Sequence, residues 1–321
     1  MKLYNEPVYE TLDTYLTAIK KIVEIVSNVN GVLSIYQIGG VRHPGISDID
    51  IVVVFEDGVN CKVNFVNALD HKFRKLFAHG LFATSRSLFM ESGHYTFFHN
   101  FNLLWGKEIL TKKPVYSSSE IISMKQQWAK EFLTRMLINL FVEERFKILN
   151  VRGLLLHSKA LIYDFEFLEA SSGKLKDQVE LIMDWRDNWF DSRPASDQIL
   201  KVHRGIRKSL SEFISENFDK NPMYFPSDGR YQLRGKMKIF PGKVANCQVR
   251  GIRFPWVPKK IIRYGIAMQR RLNKFEFTVP GKREEAPKII TESINYTDKA
   301  TKLVLCEFPF FVPFASNLYY E

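Results

Sequence analysis

The stretch QIGGVRHPGISDIDIVVVF, Gln37 to Phe55, decides how the first part of this chain folds. One apolar run ends at Gly39 and Gly40, and a more apolar run begins at Asp48 and Asp50. The β-branched residues of the second run are typical of a strand that is covered on both faces. Side chains two residues apart on a strand point to the same face, so the sequence predicts that the two aspartates project together.

This pattern also predicts a chemistry. Two close carboxylates repel each other unless a cation shares the site. Magnesium prefers hard oxygen ligands, and two such ions about 4 Å apart can stabilise an attack on a phosphate. Gly39 and Gly40 allow a positive φ and a close approach of backbone N–H groups, which form a concavity suited to a triphosphate. A Gly-Gly pair alone is usually a turn and an Asp-x-Asp alone a strand entry, but their joint order is more specific.

The order of strand, Gly-Gly, short loop, Ser-Asp-Ile-Asp and apolar strand resembles the nucleotidyltransferase superfamily, which includes DNA polymerase β and the aminoglycoside adenylyltransferases. The resemblance covers roughly residues 30 to 110 and extends more loosely to the helices that follow. It implies that Gly39 and Gly40 form the triphosphate-binding turn. It also implies that Asp48 and Asp50 are catalytic and bind Mg²⁺.

Three further residues belong to the candidate site. Ser47 precedes the acids and fits the usual Ser-Asp-Ile-Asp form. Arg42 lies in the loop, where it either contacts a phosphate or is a solvated arginine. The family places a third catalytic carboxylate on a strand after the next helix, and the best match, LFATSRSLFM, contains no acid. Glu91 follows that strand and is the candidate for this role.

The resemblance implies Mg²⁺-dependent transfer of a nucleoside monophosphate from a nucleoside triphosphate (NTP), with ATP as the first choice. The acceptor is a hydroxyl on a small molecule, an RNA end or a protein, and pyrophosphate leaves. Because the third carboxylate is not evident, an alternative stays open. A catalytically degenerate protein of this fold would bind nucleotide or nucleic acid as a sensor or scaffold.

Composition and charge divide the rest of the chain. Residues 222–321 hold 18 Lys and Arg against 8 Asp and Glu, which is most of the net charge of +11. A polyanion such as nucleic acid is the natural partner for such a surface. We predict an α+β protein with a nucleotidyltransferase-like mixed α/β domain at 1–115, a helical bundle at 116–220 and a basic α+β C-terminal domain at 221–321.

Two further segments have patterns that are compatible with helices. Apolar residues recur at three- and four-residue steps and predict a helix over 8–28, with Val8, Leu12, Leu16, Ile19, Val23 and Val26 as its apolar stripe. The segment 259–275 mixes apolar and basic residues, and it fits a nucleic-acid surface, an anionic membrane surface or a solvated basic domain.

We expect a cytoplasmic protein with no transmembrane segment. No apolar run reaches the length of about 18 residues that a membrane-spanning helix needs. Acidic residues stand in the first 16 positions, where a secretory signal would need an apolar core. Cys61, Cys247 and Cys306 are far apart and lack a metal-like spacing, which indicates reduced thiols.

Overall fold

A computed structural model of the chain describes residues 1–59, 65–95, 100–170, 173–225, 231–233, 237–252, 262–283, 285–303, 311–312 and 319–320. Cys61, Cys306 and the first residues of the segment 259–275 lie outside these ranges. The protein is α+β, as predicted. No helix among the described residues has both the length and the apolar character needed to cross a bilayer.

The strands are β1 (Lys2–Tyr4), β2 (Val32–Ile38), β3 (Asp50–Phe55), β4 (Phe82–Ser85), β5 (Phe101–Gly106), β6 (Ile148–Asn150), β7 (Met223–Tyr224), β8 (Tyr231–Leu233), β9 (Met237–Gly242), β10 (Asn246–Gly251), β11 (Asn273–Lys282) and β12 (Tyr319–Tyr320). The helices are α1 (Leu12–Ser27), α2 (His71–Arg74), α3 (Arg86–Ser92), α4 (Ser118–Phe146), α5 (Val151–Phe167), α6 (Lys174–Asp187), α7 (Ser196–Lys220), α8 (Ile262–Leu272) and α9 (Lys288–Lys302).

The contacts within the chain divide it into two compact units. The N-terminal unit consists of Val8–Ser117 and Glu292–Ala315, and the helical unit consists of Met1–Pro7, Ser118–Thr291 and Ser316–Glu321. The predicted helical and basic segments thus share one unit up to Thr291. The division of the chain into three domains at 1–115, 116–220 and 221–321 stays a prediction.

The N-terminal unit is built on a mixed sheet. Within the described residues its strand order is β4-β3-β2-β5, with β3 antiparallel to β2 and parallel to β4. Ile51, Val53 and Phe55 face a core that α1 completes. Val52 and Val54 face a second core with Phe89 and Phe311. Strand β3 is therefore covered on both faces, as its composition predicts.

Two local predictions for this unit need correction. The segment LFATSRSLFM is a strand only over β4, because the Ser85 hydroxyl accepts a hydrogen bond from Leu88 N–H at 3.4 Å and caps α3. Helix α1 forms within the predicted range 8–28, but it begins at Leu12 rather than at Val8, because the Thr11 side chain caps it. Its buried face includes Tyr15, Ala18 and Ile22. The predicted stripe residues Leu12 and Leu16 are instead exposed.

In the helical unit, helices α4 to α7 pack on one another, α4 against α5 and α7, and α6 against α5 and α7. The basic strands form a sheet in the order β10-β11-β9-β8-β12, and β7 pairs with β11. The aromatic face of β11 lies on α4, where Phe275 meets Phe146 and Phe277 meets Phe141. Strands β1 and β6 form a separate parallel pair.

Candidate active site

The hairpin of β2 and β3 brings the two halves of the sequence motif to one end of the sheet. Ile38, the last residue of β2, is the partner of Asp50, the first residue of β3. Gly39 directly follows that pair, and Asp48 lies in the loop that leads back into β3. The antiparallel register therefore places the glycine turn beside the aspartates.

The two aspartates are close enough to affect each other. Burial raises the pKa of Asp50 well above its usual range, and repulsion from Asp48 raises it further. The side chain of Asp48 is only 14% exposed. Asp50 follows the alternation of β3, which puts it on the face of Val52 and Val54. Two partly buried carboxylates that repel each other form an arrangement that a divalent cation stabilises.

His79 is a neighbour of this pair that no sequence motif indicates. Its Nε2 atom lies 3.5 Å from Oδ2 of Asp48. The parallel register pairs Val52 with Phe82, so the chain just before β4 runs beside the start of β3. The family resemblance predicts a third carboxylate on this neighbouring strand, and β4 contains none. A histidine before a strand carries no signal by itself, because only the strand pairing brings it to the aspartates.

The loop between the glycines and the aspartates is held by a buried tyrosine. The Tyr15 hydroxyl donates to the carbonyl oxygen of Ser47 at 2.7 Å and accepts from Gly45 N–H at 2.9 Å. The Ser47 hydroxyl accepts from His43 N–H at 3.1 Å. Ser47 therefore shapes the loop that carries Asp48, while its predicted role in nucleotide binding stays a prediction.

The two glycines have different roles. Gly39 has φ +66°, in the left-handed region, and its N–H already donates to the carbonyl oxygen of Asn100 at 3.1 Å. Gly40 is exposed, and a Cβ atom there would have no heavy atom within 4 Å. The turn thus needs glycine at position 39 for its backbone shape, and the Gly39 amide is not available to a phosphate.

This difference predicts that alanine lowers the free energy of unfolding more at position 39 than at position 40. We expect Gly39→Ala to lower the free energy of unfolding by about 1 kcal/mol or more, because a side chain in the left-handed region is strained. Gly40→Ala should change it by less than about 0.5 kcal/mol. Urea denaturation of both variants measures the difference, and equal losses would contradict the backbone geometry at position 39.

The remaining predicted site residues lie in other surroundings. Arg42 is exposed in the loop. Glu91 lies on α3, where its carboxylate is 3.3 Å from Nζ of Lys299. The structure thus gives Glu91 and Asp48 different partners, Lys299 and His79. The prediction that Glu91 supplies the third carboxylate stays a prediction.

The residues present fit magnesium bound together with a nucleotide. The described residues contain no group of three or more His, Cys, Asp or Glu side chains that could hold a metal ion. Magnesium often binds through one or two carboxylates and completes its octahedron with substrate phosphates and water. Asp48 and Asp50 would supply two such carboxylates, whose hard oxygen atoms are of the type that this ion prefers.

Comparisons of this chain with protein family models, with curated proteins and with solved structures find no match.

Proposed function

We propose that the N-terminal unit binds a magnesium–nucleoside triphosphate at the β2–β3 hairpin and transfers its nucleoside monophosphate to a hydroxyl acceptor. One observation carries the proposal: the register of β2 and β3 places the Gly39 turn and two mutually repelling carboxylates at the same end of the sheet. Paired carboxylates suit the cation that accompanies a triphosphate, and the turn at Gly39 lies beside them.

In the proposed reaction, the acceptor oxygen forms a bond to the α-phosphorus of the triphosphate. The bond from that phosphorus to the oxygen bridging to the β-phosphate breaks, pyrophosphate leaves, and the hydroxyl proton passes to a base. Magnesium, when bound, would neutralise charge on the triphosphate. Asp48 and Asp50 would hold that ion, and Tyr15 would keep the loop before Asp48 in place. Glu91 is the candidate base.

A second function has a specific observation in its favour. Strand β4, the neighbour of β3, contains no acidic residue, and Gly80 is the residue that the register would place beside Asp50. The carboxylate of Glu91 faces Lys299. A unit with this arrangement could bind a nucleotide without transferring it and serve as a nucleotide or nucleic-acid sensor or scaffold.

The test of binding is thermal unfolding with each of the four ribonucleoside triphosphates, with and without magnesium. A ligand at a hundred times its Kd stabilises the native state by about 2.7 kcal/mol, and the melting temperature rises accordingly. We expect the rise with ATP to require magnesium and to vanish in Asp48→Asn/Asp50→Asn. Asp13→Asn, which removes an exposed carboxylate on α1, is the matched control and should respond like the wild type.

Release of pyrophosphate separates transfer from binding alone. The protein is incubated with magnesium, the stabilising triphosphate and fractions of hydroxyl-bearing compounds. Transfer is supported if pyrophosphate is released only when a particular fraction is present and if this release is lost in Asp48→Asn/Asp50→Asn. A magnesium-dependent thermal shift without release from any fraction supports the binding function. The absence of a shift with every triphosphate contradicts both transfer and nucleotide sensing.

The contact between His79 and Asp48 predicts a positioning role for the histidine. Residues that orient a metal ligand typically contribute 10- to 100-fold to metal affinity. We expect His79→Asn to raise the magnesium concentration for half-maximal stabilisation with ATP by about tenfold. His71→Asn, at an exposed histidine on α2, is the control. An unchanged magnesium dependence in His79→Asn would show that the contact is incidental.

A further inference from the structure

Helix α8 in the helical unit carries an exposed apolar line. Tyr264, Met268 and Leu272 are spaced four residues apart and are 68%, 36% and 45% exposed. Side chains at this spacing lie along one face of a helix. Ile262 and Ile266 of the same helix are buried. The helix therefore has apolar residues both on the face that joins the core and on the face that meets solvent.

A further aliphatic side chain lies at the end of this helix. The side-chain amide of Asn273 donates to the carbonyl oxygen of Gln269, in the last turn of α8, at 2.6 Å. The same amide donates to the carbonyl oxygen of Ile252 at 2.7 Å, which ties that residue to the end of the helix. Ile252 is 60% exposed. We call Tyr264, Met268, Leu272 and Ile252 the α8 ridge.

Exposed cations accompany the ridge. Arg271 belongs to the last turn of α8 and is exposed. Arg250 and Lys274 are exposed cross-strand partners on β10 and β11, next to the Gly251–Asn273 pair. Glu276 is an acid on the same side of β11, and Lys238 is its cross-strand partner. The exposed charged residues next to the end of α8 in sequence and strand register, Arg271, Lys274 and Arg250, are therefore cations.

We propose that the α8 ridge, with Arg250, Arg271 and Lys274, binds the surface of an anionic lipid bilayer. A helix with apolar residues on its outer face and cations beside them lies in the interface of such a bilayer. Each nearby Lys or Arg adds attraction to the negative surface potential. Tyr264 fits this environment, because a tyrosine ring has an apolar body and a polar tip.

The composition of the ridge favours lipid over nucleic acid. Single-stranded nucleic acids are held by aromatic side chains on which successive bases stack. Three of the four ridge residues, Met268, Leu272 and Ile252, are aliphatic and offer no such stacking surface. Burial of aliphatic side chains at the boundary between lipid headgroups and acyl chains is favourable. The proposal concerns the helical unit alone and does not rest on the proposed function of the N-terminal unit.

Co-sedimentation of the full chain with lipid vesicles tests the proposal. One set of vesicles contains phosphatidylcholine alone, and the other contains equal amounts of phosphatidylcholine and phosphatidylserine. We expect binding to the second set that weakens as salt rises, and little binding to the first. Tyr264→Ser/Met268→Ser/Leu272→Ser should weaken binding at least about tenfold, because the apolar contribution is removed. Arg250→Gln/Lys274→Gln should reduce the salt dependence.

A control variant removes apolar side chains elsewhere in the same unit. Leu181→Ser/Phe190→Ser changes two exposed residues and should bind vesicles like the wild type. Melting temperatures establish that each variant is folded. The proposal is overturned if the wild type does not distinguish the two vesicle sets, or if the triple variant binds as well as the control. It is also overturned if a single-stranded RNA binds the chain through the ridge and displaces it from the vesicles.

Discussion

Asp50→Asn is expected to stabilise the N-terminal unit at neutral pH without magnesium, and to remove most of its stabilisation by magnesium and ATP. Burial and the charge of Asp48 raise the pKa of the Asp50 carboxyl in the folded protein. Between the unfolded pKa, about 3.9, and that raised value, the native state binds more protons than the unfolded state. The contribution of the Asp50 carboxyl to the free energy of unfolding is therefore fully present below the unfolded pKa. It is lost as the pH rises through the folded pKa.

The asparagine variant carries no charge to bury, so its advantage over the wild type should grow as the pH rises from about 4. Melting temperatures from pH 4 to pH 8 in a chelator measure this slope. Magnesium with ATP should then raise the melting temperature of the wild type far more than that of the variant. Parallel curves for the two proteins across this pH range would contradict the burial of a charged Asp50.

Asp57 provides a control of opposite sign in the same unit. Its carboxylate accepts hydrogen bonds from Ser87 N–H at 3.0 Å and from the Ser87 hydroxyl at 2.7 Å. These bonds lower the pKa of Asp57. Its contribution to stability is present above the unfolded pKa and is lost as the pH falls through the folded pKa. Asp57→Ala should therefore destabilise the protein at neutral pH and have a smaller effect in acid.

Tyr15→Phe is expected to cost about 2 kcal/mol of stability and to weaken the response to magnesium and ATP. The fully buried hydroxyl joins Ser47 and Gly45, and its removal leaves the buried Gly45 N–H without this acceptor. An unsatisfied buried polar group costs about 1–3 kcal/mol. The loop that carries Asp48 loses its anchor as well, so the affinity for magnesium and ATP should fall together with stability.

Tyr36→Phe separates these two effects. Tyr36 is also buried, and its hydroxyl accepts from Ile109 N–H at 2.7 Å. Its loss should lower stability by a comparable amount while the magnesium and ATP response remains that of the wild type. Urea denaturation and ATP titration of both variants give the two quantities. Equal losses of affinity in the two variants would show that the response follows global stability rather than the loop.

The sequence by itself determined the central hairpin of the N-terminal unit. Glycine at position 39, a short loop and the β-branched run after Asp50 are local signals. The structure contains the strands that they predict, and the glycine has the positive φ that its residue type allows. The existence of α1 is equally local, because helical periodicity and the Thr11 cap act within a few residues of each other.

Tertiary structure decided which faces of these elements are buried and what meets the aspartates. Leu12 and Leu16 extend the apolar stripe of α1 in sequence, yet the core of the unit selects Tyr15 and Ile22. His79 reaches Asp48 only because β4 pairs in parallel with β3. Periodicity predicts that a face is apolar, but the strand that lies beside it is set by long-range packing.

The C-terminal residues of the N-terminal unit show the same limit. Phe311 N–H donates to the carbonyl oxygen of Ala83 at 3.0 Å, and its ring joins the core around Val52 and Val54. Tyr296 of α9 is fully buried, and its hydroxyl donates to the carbonyl oxygen of Leu88 at 3.1 Å. These contacts join residues more than 200 positions apart in sequence. No local pattern encodes such pairs, because they depend on how distant segments share one core.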